Sequence, residues 1–167
     1  VVLPGVEKEI IVVDDGSTDA TTATIHMQKV IHNEMKILWH KTNQGKGTAI
    51  KTGIKKATGD YILIQDADLE YNPKDIPRLL TPILDGTAQV VYGTRLKRLP
   101  NFARDERTPR FLIHYLGNRL LSFLTSVLYG QWITDMETCY KLFPKQALED
   151  IKLRSRSFDF EPEITAK

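Results

Sequence analysis

The stretch Tyr61-Ile62-Leu63-Ile64-Gln65-Asp66-Ala67-Asp68-Leu69-Glu70 joins an apolar run directly to two carboxylates that are separated by a single small residue. Residues 61–64 have the length and β-branched content of a strand that is buried on both faces of a sheet. Gly59, just before it, is expected to close the preceding helix. Side chains two apart on an extended chain share a face, so Asp66 and Asp68 are expected to point the same way.

This pair of acids has two interpretations. Two neighbouring carboxylates repel each other unless a cation or a proton lies between them. Mg²⁺ binds one or two protein carboxylates and completes its octahedron with waters and substrate phosphates, so Asp66 and Asp68 are candidate metal ligands. The structural alternative is a strand that ends in a solvated acidic turn, and the rest of the chain has to decide between the two.

The composition is that of an ordinary folded domain. The chain has 167 residues, of which 41% are apolar and 26% are charged, and this length is enough to bury a core. The net charge of +2 is too small to indicate a nucleic-acid partner. Cys139 is the single cysteine, which excludes an internal disulfide. We therefore expect residues 1–167 to form one domain.

Strands alternate with helices through roughly the first ninety residues, which predicts an α/β fold with a mainly parallel sheet flanked by helices. The predicted strands are 10–13, 37–39, 61–64 and 89–92. Ligands of such sheets bind at the carboxyl ends of the strands. The charged side chains that follow the predicted strands are Asp14, Asp15, Asp66, Asp68 and Arg95. We expect these side chains to converge on one crevice.

The chain changes character after Arg95. A loop with two prolines contains a crowd of charges, namely Lys97, Arg98, Arg104, Asp105, Glu106, Arg107 and Arg110. A long helical pattern follows from about Arg110 to Leu128, and its polar residues His114, Asn118 and Arg119 make it too polar to span a membrane. This helix packs in the core, contacts a membrane surface or forms a dimer interface.

Rival motifs fail on spacing. A phosphate-binding loop at Gly45-Lys46-Gly47 would need a Ser or Thr directly after the lysine and a glycine at position 40, which is His40. A dinucleotide-binding fingerprint would need a glycine at position 50, which is Ile50. The four histidines have no metal-ligand spacing, so we interpret them as surface or packing residues.

Several short motifs occur in a recognisable order. They are Val12-Val13-Asp14-Asp15-Gly16-Ser17-Thr18-Asp19, Asn43-Gln44-Gly45-Lys46-Gly47, and Gly59-Asp60-Tyr61 leading into Asp66-Ala67-Asp68. Over nearly the whole chain the sequence resembles a family 2 glycosyltransferase of the inverting, GT-A-fold type. The segments 92–95 and 134–141 are similar to the branch that includes dolichol-phosphate mannose synthase and bacterial polyprenyl-phosphate glycosyltransferases.

The resemblance implies a donor site for a nucleotide-diphosphate sugar, linked to UDP or GDP, in residues 1–95. Asp14 and Asp15 match the acids that hold base and ribose, and a carboxylate can accept hydrogen bonds from both. Gly45 and Gly47 are expected to let the backbone approach the nucleotide, whereas Lys46 reads as a surface charge. Residues 96–167 are then the acceptor side.

The same resemblance assigns Asp66 and Asp68 to Mg²⁺ or Mn²⁺, with Glu70 as a third contact and Asp66 also facing the substrate. Such a cation neutralises the charge that builds on the leaving nucleoside diphosphate. Arg95 matches an arginine that binds phosphate, a role that suits a planar guanidinium. Lys141 matches a basic position near the acceptor phosphate.

The implied acceptor is a polyprenyl or dolichyl phosphate at the cytoplasmic face of a membrane. A phosphate of this kind is already anionic, with a second pKa of about 6, so it needs positioning more than a base. A hydroxyl acceptor, such as a growing polysaccharide, would need its proton removed; Asp135 is the candidate base and Glu137 the reserve. Glu161 and Glu163 resemble the family's closing segment, without an assigned role.

The sequence also departs from the family pattern. The usual first strand and the C-terminal membrane helices are not recognisable, so we expect an exposed sheet edge or a central gap that would favour a homodimer.

Two other classes of protein compete with the glycosyltransferase interpretation. A phosphoacceptor receiver domain also clusters acids at strand ends, but the long segment after Arg95 argues against it. The other is a non-catalytic module that binds a nucleotide sugar or, through the basic loop, nucleic acid.

Overall fold

The computed structural model describes residues 3, 5–32, 34–68, 70–95, 108–148 and 151–167. The strands are β1 (Ile10–Asp14), β2 (Met35–Trp39), β3 (Tyr61–Leu63), β4 (Val91–Tyr92) and β5 (Lys141–Pro144). The helices are α1 (Thr21–Ile31), α2 (Lys46–Ile54), α3 (Ile76–Leu84), α4 (Pro109–Tyr129) and α5 (Phe160–Ala166). The α/β class is confirmed, while the charged loop at 96–107 lies outside the described residues.

The strands form two sheets. β1 and β2 are parallel neighbours, with Ile10 opposite Met35 and Asp14 opposite Trp39. β5 lies between β3 and β4 and is antiparallel to both, so β3 and β4 run in the same direction. The antiparallel strand β5 was not among the predicted strands.

A gap separates β1 from β3. Among the described residues, β1 is hydrogen-bonded only to β2, and β3 only to β5. A cavity of about 490 Å³ lies here and is lined by residues of β1, β3 and α2. The prediction that residues 61–64 are buried on both faces is therefore wrong for most of the strand, because Tyr61 is exposed and Ile62 is half-buried. Ile64 is buried. The sequence analysis expected either an exposed sheet edge or a central gap, without giving its position.

The hydrophobic core lies on the side of β3 and β5. Its buried members are Ile64, Tyr71, Leu79, Cys139, Tyr140, Leu142, Phe143, Phe160 and Ile164. The rings of Tyr71 and Tyr140 lie 4.5 Å apart between centroids, and the Tyr71 hydroxyl accepts a hydrogen bond from the backbone N–H of Cys139 at 2.8 Å. Burial raises the pKa of the Cys139 thiol to about 12. The core thus fixes residues 135–144.

Asn72 and Gly59 lie in the connections on either side of β3. Asn72 caps the turn that leads into α3, since its side chain accepts the N–H of Lys74 at 3.0 Å. Gly59 does not close α2, which already ends at Ile54. Instead the Gly59 N–H donates to the Glu9 carboxylate at 2.9 Å, which ties the start of β3 to the start of β1.

Helix α4 has the predicted length, and the structure decides against one of the three predicted packings, the burial of its apolar stripe in the core. Its buried residues are the polar Asn118, Ser122 and Ser126, which share one face at four-residue spacing. Its exposed apolar residues include Ile113, Leu116, Leu120, Phe123, Leu124, Val127 and Leu128. Packing of the apolar stripe in the core is therefore wrong, and the apolar face points outward.

By length and composition α4 is able to cross a membrane, although the sequence analysis judged it too polar for that. The polar residue Asn118 is turned toward the protein and so does not interrupt the outer face. A single helix of this kind is weak evidence for a membrane span. The outer face nevertheless leaves an apolar surface next to the site described below.

Candidate active site

The turn after β1 uses Asp14 and Asp15 differently. Asp14 is 4% exposed, and its two oxygens accept hydrogen bonds from the Ser17 N–H at 2.9 Å and the Thr22 hydroxyl at 2.7 Å. Bonds from Ser17 and Thr22 hold the pKa of Asp14 below its ordinary value. Asp14 thus joins the turn to α1, and its predicted contact with a nucleotide would compete with these bonds.

Asp15 lies closer to the surface and organises the next loop. Its carboxylate accepts the N–H groups of Gln44 at 3.0 Å and Gly45 at 2.8 Å. It also contacts Nδ1 of His40 at 2.5 Å. Burial opposes ionisation of Asp15, but these bonds outweigh it and lower the pKa. Asp15 therefore holds the loop 43–45 against the end of β1, where a nucleotide is predicted.

His40 is a site residue that the sequence analysis missed. Its side chain is 9% exposed, and Nε2 lies 3.0 Å from the Thr52 hydroxyl on α2. Of the two predicted roles, surface or packing, the packing role agrees with its position, because His40 bridges Asp15 and α2. The available signal was position: His40 directly follows β2, just as the acids follow β1 and β3.

Lys46 is the second residue that was misjudged. Its ammonium lies 2.8 Å from Oδ2 of Asp66 and 2.5 Å from Oε1 of Glu161, and its side chain is 20% exposed. Burial disfavours the charge, but the hydrogen bonds to Asp66 and Glu161 outweigh it and raise the pKa of Lys46. Lys46 therefore connects the Asp-x-Asp segment to α5 and is not merely a surface charge.

Gly45 and Gly47 allow the C-terminal segment to lie against the start of α2. Gly45 has a φ of +93°, and a Cβ there would overlap the carbonyl oxygen of Arg156. A Cβ at Gly47 would come within 2.8 Å of the Ser155 carbonyl oxygen. The close approach that requires these glycines is thus made by residues 155–156. Their predicted proximity to a nucleotide stays a prediction.

Asp68 and Glu70 are the other predicted metal ligands. Asp68 is exposed, and its Oδ1 accepts the N–H of Glu70 at 3.0 Å. Glu70 in turn pairs with Arg95 at 2.9 Å. Within the described part of the chain, no group of three or more His, Cys, Asp or Glu side chains could hold a metal. A donor set of one or two carboxylates still fits Mg²⁺, which takes its remaining oxygens from water and phosphate.

Arg95 is held firmly by Asp135. The Arg95 backbone N–H and its Nε and Nη2 atoms donate to the Asp135 carboxylate at 3.0, 3.1 and 3.2 Å. Asn118 of α4 donates to the same carboxylate at 2.7 Å. The Arg95 side chain is 32% exposed, whereas that of Asp135 is fully buried. Asp135 thus fixes the guanidinium of Arg95, which remains partly accessible to solvent.

This environment bears on the predicted role of Asp135 as a base. Burial opposes its ionisation, but the bonds from Arg95 and Asn118 prevail and lower its pKa. A carboxylate that is buried, bonded at both oxygens and stabilised as an anion is a weak proton acceptor. Glu137, the reserve candidate, is exposed on the neighbouring loop.

Lys141 lies in the interior, away from the surface of the site. It is 0% exposed, and its ammonium donates to the carbonyl of Met136 at 3.0 Å and to that of Thr138. Burial lowers its pKa to about 8. An acceptor phosphate would reach this ammonium only after the loop carrying those two carbonyls had moved. The role predicted for Lys141 therefore does not fit its position in this structure.

The chain thus has an α/β fold with acids at the ends of β1 and β3 and an arginine after β4. A family model described as glycosyl transferase family 2 matches residues 4–152. The chain therefore belongs to glycosyl transferase family 2, as the sequence motifs indicated, and this family implies the GT-A fold.

Curated relatives give further detail. The UDP-N-acetylglucosamine–dolichyl-phosphate N-acetylglucosaminyltransferase of Methanococcus voltae is 31% identical over 91% of this chain and 64% of its own length. An uncharacterised protein of Methanocaldococcus jannaschii is 31% identical over 86% of this chain and 56% of its own length. The low-salt glycan biosynthesis hexosyltransferase Agl6 of Haloferax volcanii is 29% identical over 92% of this chain and 35% of its own length. The chain thus spans between about a third and two thirds of these relatives.

Proposed function

We propose that this chain carries the catalytic site of an inverting glycosyltransferase that moves a sugar from a nucleotide diphosphate to a lipid-linked phosphate. The observation that carries the proposal is the link from Arg95 through Asp135 to Asn118 on α4. This link attaches a partly exposed phosphate-binding group to a helix whose outer face is apolar. A lipid phosphate needs both features, a cationic contact for its head and an apolar surface for its chain.

The donor would lie at the carboxyl ends of β1 and β3. Asp15 positions the loop 43–45 beside the base and ribose, and Asp66 and Asp68 would hold Mg²⁺ or Mn²⁺ against the diphosphate. When bound, such a cation supplies charge neutralisation for the departing nucleoside diphosphate. The residues of this chain have a different task, which is to bind the donor and to expose one face of the sugar.

The acceptor would approach that exposed face from the side of Arg95. One phosphate oxygen forms a bond to the anomeric carbon while the bond from that carbon to the diphosphate breaks, and the configuration inverts. Because the phosphate is already anionic, no protein base is needed. Asp135 then acts as a positioning residue for Arg95, which agrees with its lowered pKa.

Helix α4 would lie on the membrane surface beside the acceptor. Leu116, Leu120 and Leu124 are 63%, 58% and 46% exposed, which is a large apolar area to leave in water. The named acceptor of the Methanococcus voltae relative is a dolichyl phosphate, which supports the same class of acceptor here. We place the site at the cytoplasmic face, where nucleotide sugars are made.

A transfer assay with paired acceptors tests this function. The protein is incubated with radiolabelled UDP-N-acetylglucosamine, or a GDP-sugar, and with either a short polyprenyl phosphate or the matching polyprenol. We expect label in the lipid phase only with the phosphate, and a loss of at least about tenfold for Arg95→Gln, which removes a charged phosphate contact. Equal transfer to the polyprenol would support a hydroxyl acceptor and contradict the proposal.

A further inference from the structure

The ammonium of Lys46 occupies the place beside Asp66 where a cation is proposed to bind. It is 2.8 Å from Oδ2 of Asp66 and 2.5 Å from Oε1 of Glu161, so one positive charge is shared between two carboxylates from distant parts of the chain. A divalent cation at Asp66 would repel this ammonium, because both would compete for the same oxygens.

Glu161 offers the ammonium a second acceptor. Its side chain is 8% exposed, and its Oε2 is buried with no hydrogen-bond partner among the described residues. A buried carboxylate oxygen without a partner is costly, and its cause here is that Lys46 binds only the other oxygen. The position of Lys46 therefore leaves one acceptor unsatisfied while the ammonium remains on Asp66.

We infer that Lys46 is a positioning residue whose ammonium moves from Asp66 onto both oxygens of Glu161 when a cation and a nucleotide diphosphate bind. This inference rests on the proposed function. Without donor, Lys46 neutralises Asp66 and keeps it in place. With donor, the released Asp66 contacts the cation, and the ammonium satisfies the buried Oε2. Lys46 and the cation thus compete for one carboxylate, and Glu161 sets the balance.

The test is Mn²⁺ affinity, measured from the electron paramagnetic resonance signal of the free ion. Lys46→Met removes the competitor and should tighten Mn²⁺ binding by about twofold to fivefold, within the range expected for one partly exposed ion pair. Glu161→Gln removes the charge of the alternative acceptor, so the ammonium stays on Asp66 and Mn²⁺ should bind several times more weakly. A purely structural role for Lys46 would instead weaken binding in both variants.

Lys51→Met is the matched control. Lys51 lies on the same helix and donates to the carbonyls of Leu153, Arg154 and Ser155, but it does not contact Asp66, so Mn²⁺ affinity should not change. If Lys46→Met leaves Glu161 unpaired and does not fold, the double variant Lys46→Met/Glu161→Gln carries the test. This double variant also lacks the competing ammonium, so it should still bind Mn²⁺ more tightly than the wild type.

The outcomes separate this inference from the proposed function. If wild type binds Mn²⁺ and Asp68→Asn does not, the cation site stands. Unchanged or weaker binding by Lys46→Met then overturns only the inference about Lys46. If neither the wild type nor Lys46→Met binds Mn²⁺ with UDP or GDP present, the cation-dependent donor site fails and this inference fails with it.

Discussion

The side chain of Arg95 binds one buried carboxylate and one exposed carboxylate. It donates to Asp135, whose side chain is fully buried, and to Glu70, whose side chain is 57% exposed. The two carboxylates therefore differ in what they contribute. A buried ion pair is costly to break because the remaining charge loses its compensation, whereas an exposed pair contributes little.

Asp135→Asn should lower the free energy of unfolding by about 2 kcal/mol, less than for a wholly buried pair because Arg95 keeps solvent access. Urea denaturation measures this change, with Glu70→Gln as the control that removes the exposed partner of the same arginine. The control should change stability by less than about 0.5 kcal/mol. Equal effects of the two substitutions would contradict the assignment of Asp135 as the support of Arg95.

The same carboxylate gives a pH dependence with a defined sign. The pKa of Asp135 is lower in the folded protein than its ordinary value of 3.8, so its contribution is present above pH 3.8 and is lost as the pH falls through the lower folded value. In Asp135→Asn this part of the acid-induced loss of stability should be missing. Urea denaturation between pH 5 and pH 2 would show the two curves converging toward the acid end.

At the scale of single residues, the sequence predicted groups that follow strands and missed their partners. Asp66, Asp68 and Arg95 were identifiable because each comes just after an apolar run. Lys46 and Glu161 were not, because 115 positions separate them in the numbering and only the folded chain brings them together. Asn118 was counted against a membrane helix, although its amide supports Asp135.

Among the elements, the start of α2 is in direct contact with residues 155–156. The N–H of Thr48 donates to the Arg156 carbonyl at 3.3 Å, and Lys51 donates to carbonyls of the same segment. Such an approach between two backbones requires positions without a Cβ. Gly45 and Gly47 supply them, so the loop motif also serves packing of the C-terminal segment.

Gly45→Ala should therefore destabilise the fold by roughly 3 kcal/mol, since it combines a backbone region reserved for glycine with a steric overlap. Gly86→Ala is the matched control: its φ is +69°, but nothing lies within 4 Å of its Cβ position, so about 1 kcal/mol is expected. Thermal unfolding compares the two. A similar loss of stability in both would mean that contact with Arg156 is unimportant.

The positions of helices in the sequence were predicted better than their packing or the pairing of strands. Helix α4 was placed within one residue at each end, because Pro109 and the periodicity of its leucines define it. Which face it turns inward could not be read from that periodicity, since Asn118, Ser122 and Ser126 are held by hydrogen bonds to residues 133–136, in the loop that follows the helix. Similarly, β5 was missed because its pairing with β3 and β4 is antiparallel and long-range.

For the whole molecule, the outer face of α4 and the gap between β1 and β3 are two apolar regions that the described residues leave uncovered. The gap is lined by strand edges, whereas α4 presents side chains only. A lipid surface suits side chains on a helix, since the backbone of a helix is already hydrogen-bonded. This difference favours a membrane contact for α4 specifically.

Leu120→Glu should weaken binding to phosphatidylcholine and phosphatidylglycerol vesicles by about tenfold or more, since it replaces a leucine that would be buried in the lipid with a charge. Val30→Glu is the control, because Val30 is also an exposed apolar residue on a helix, 85% exposed on α1 against 58% for Leu120. Vesicle sedimentation should show wild-type binding for that variant. Equal losses for both would point to a general effect of charge.

The most direct test of the account is calorimetric titration of UDP and GDP into the protein, with and without Mn²⁺, repeated on Asp68→Asn. The account predicts that one nucleotide binds, that binding requires the cation, and that Asp68→Asn weakens it by at least about tenfold, as expected for loss of a metal-bound carboxylate. Binding that is indifferent to Mn²⁺ and to Asp68→Asn, or no binding by a folded sample, would contradict it.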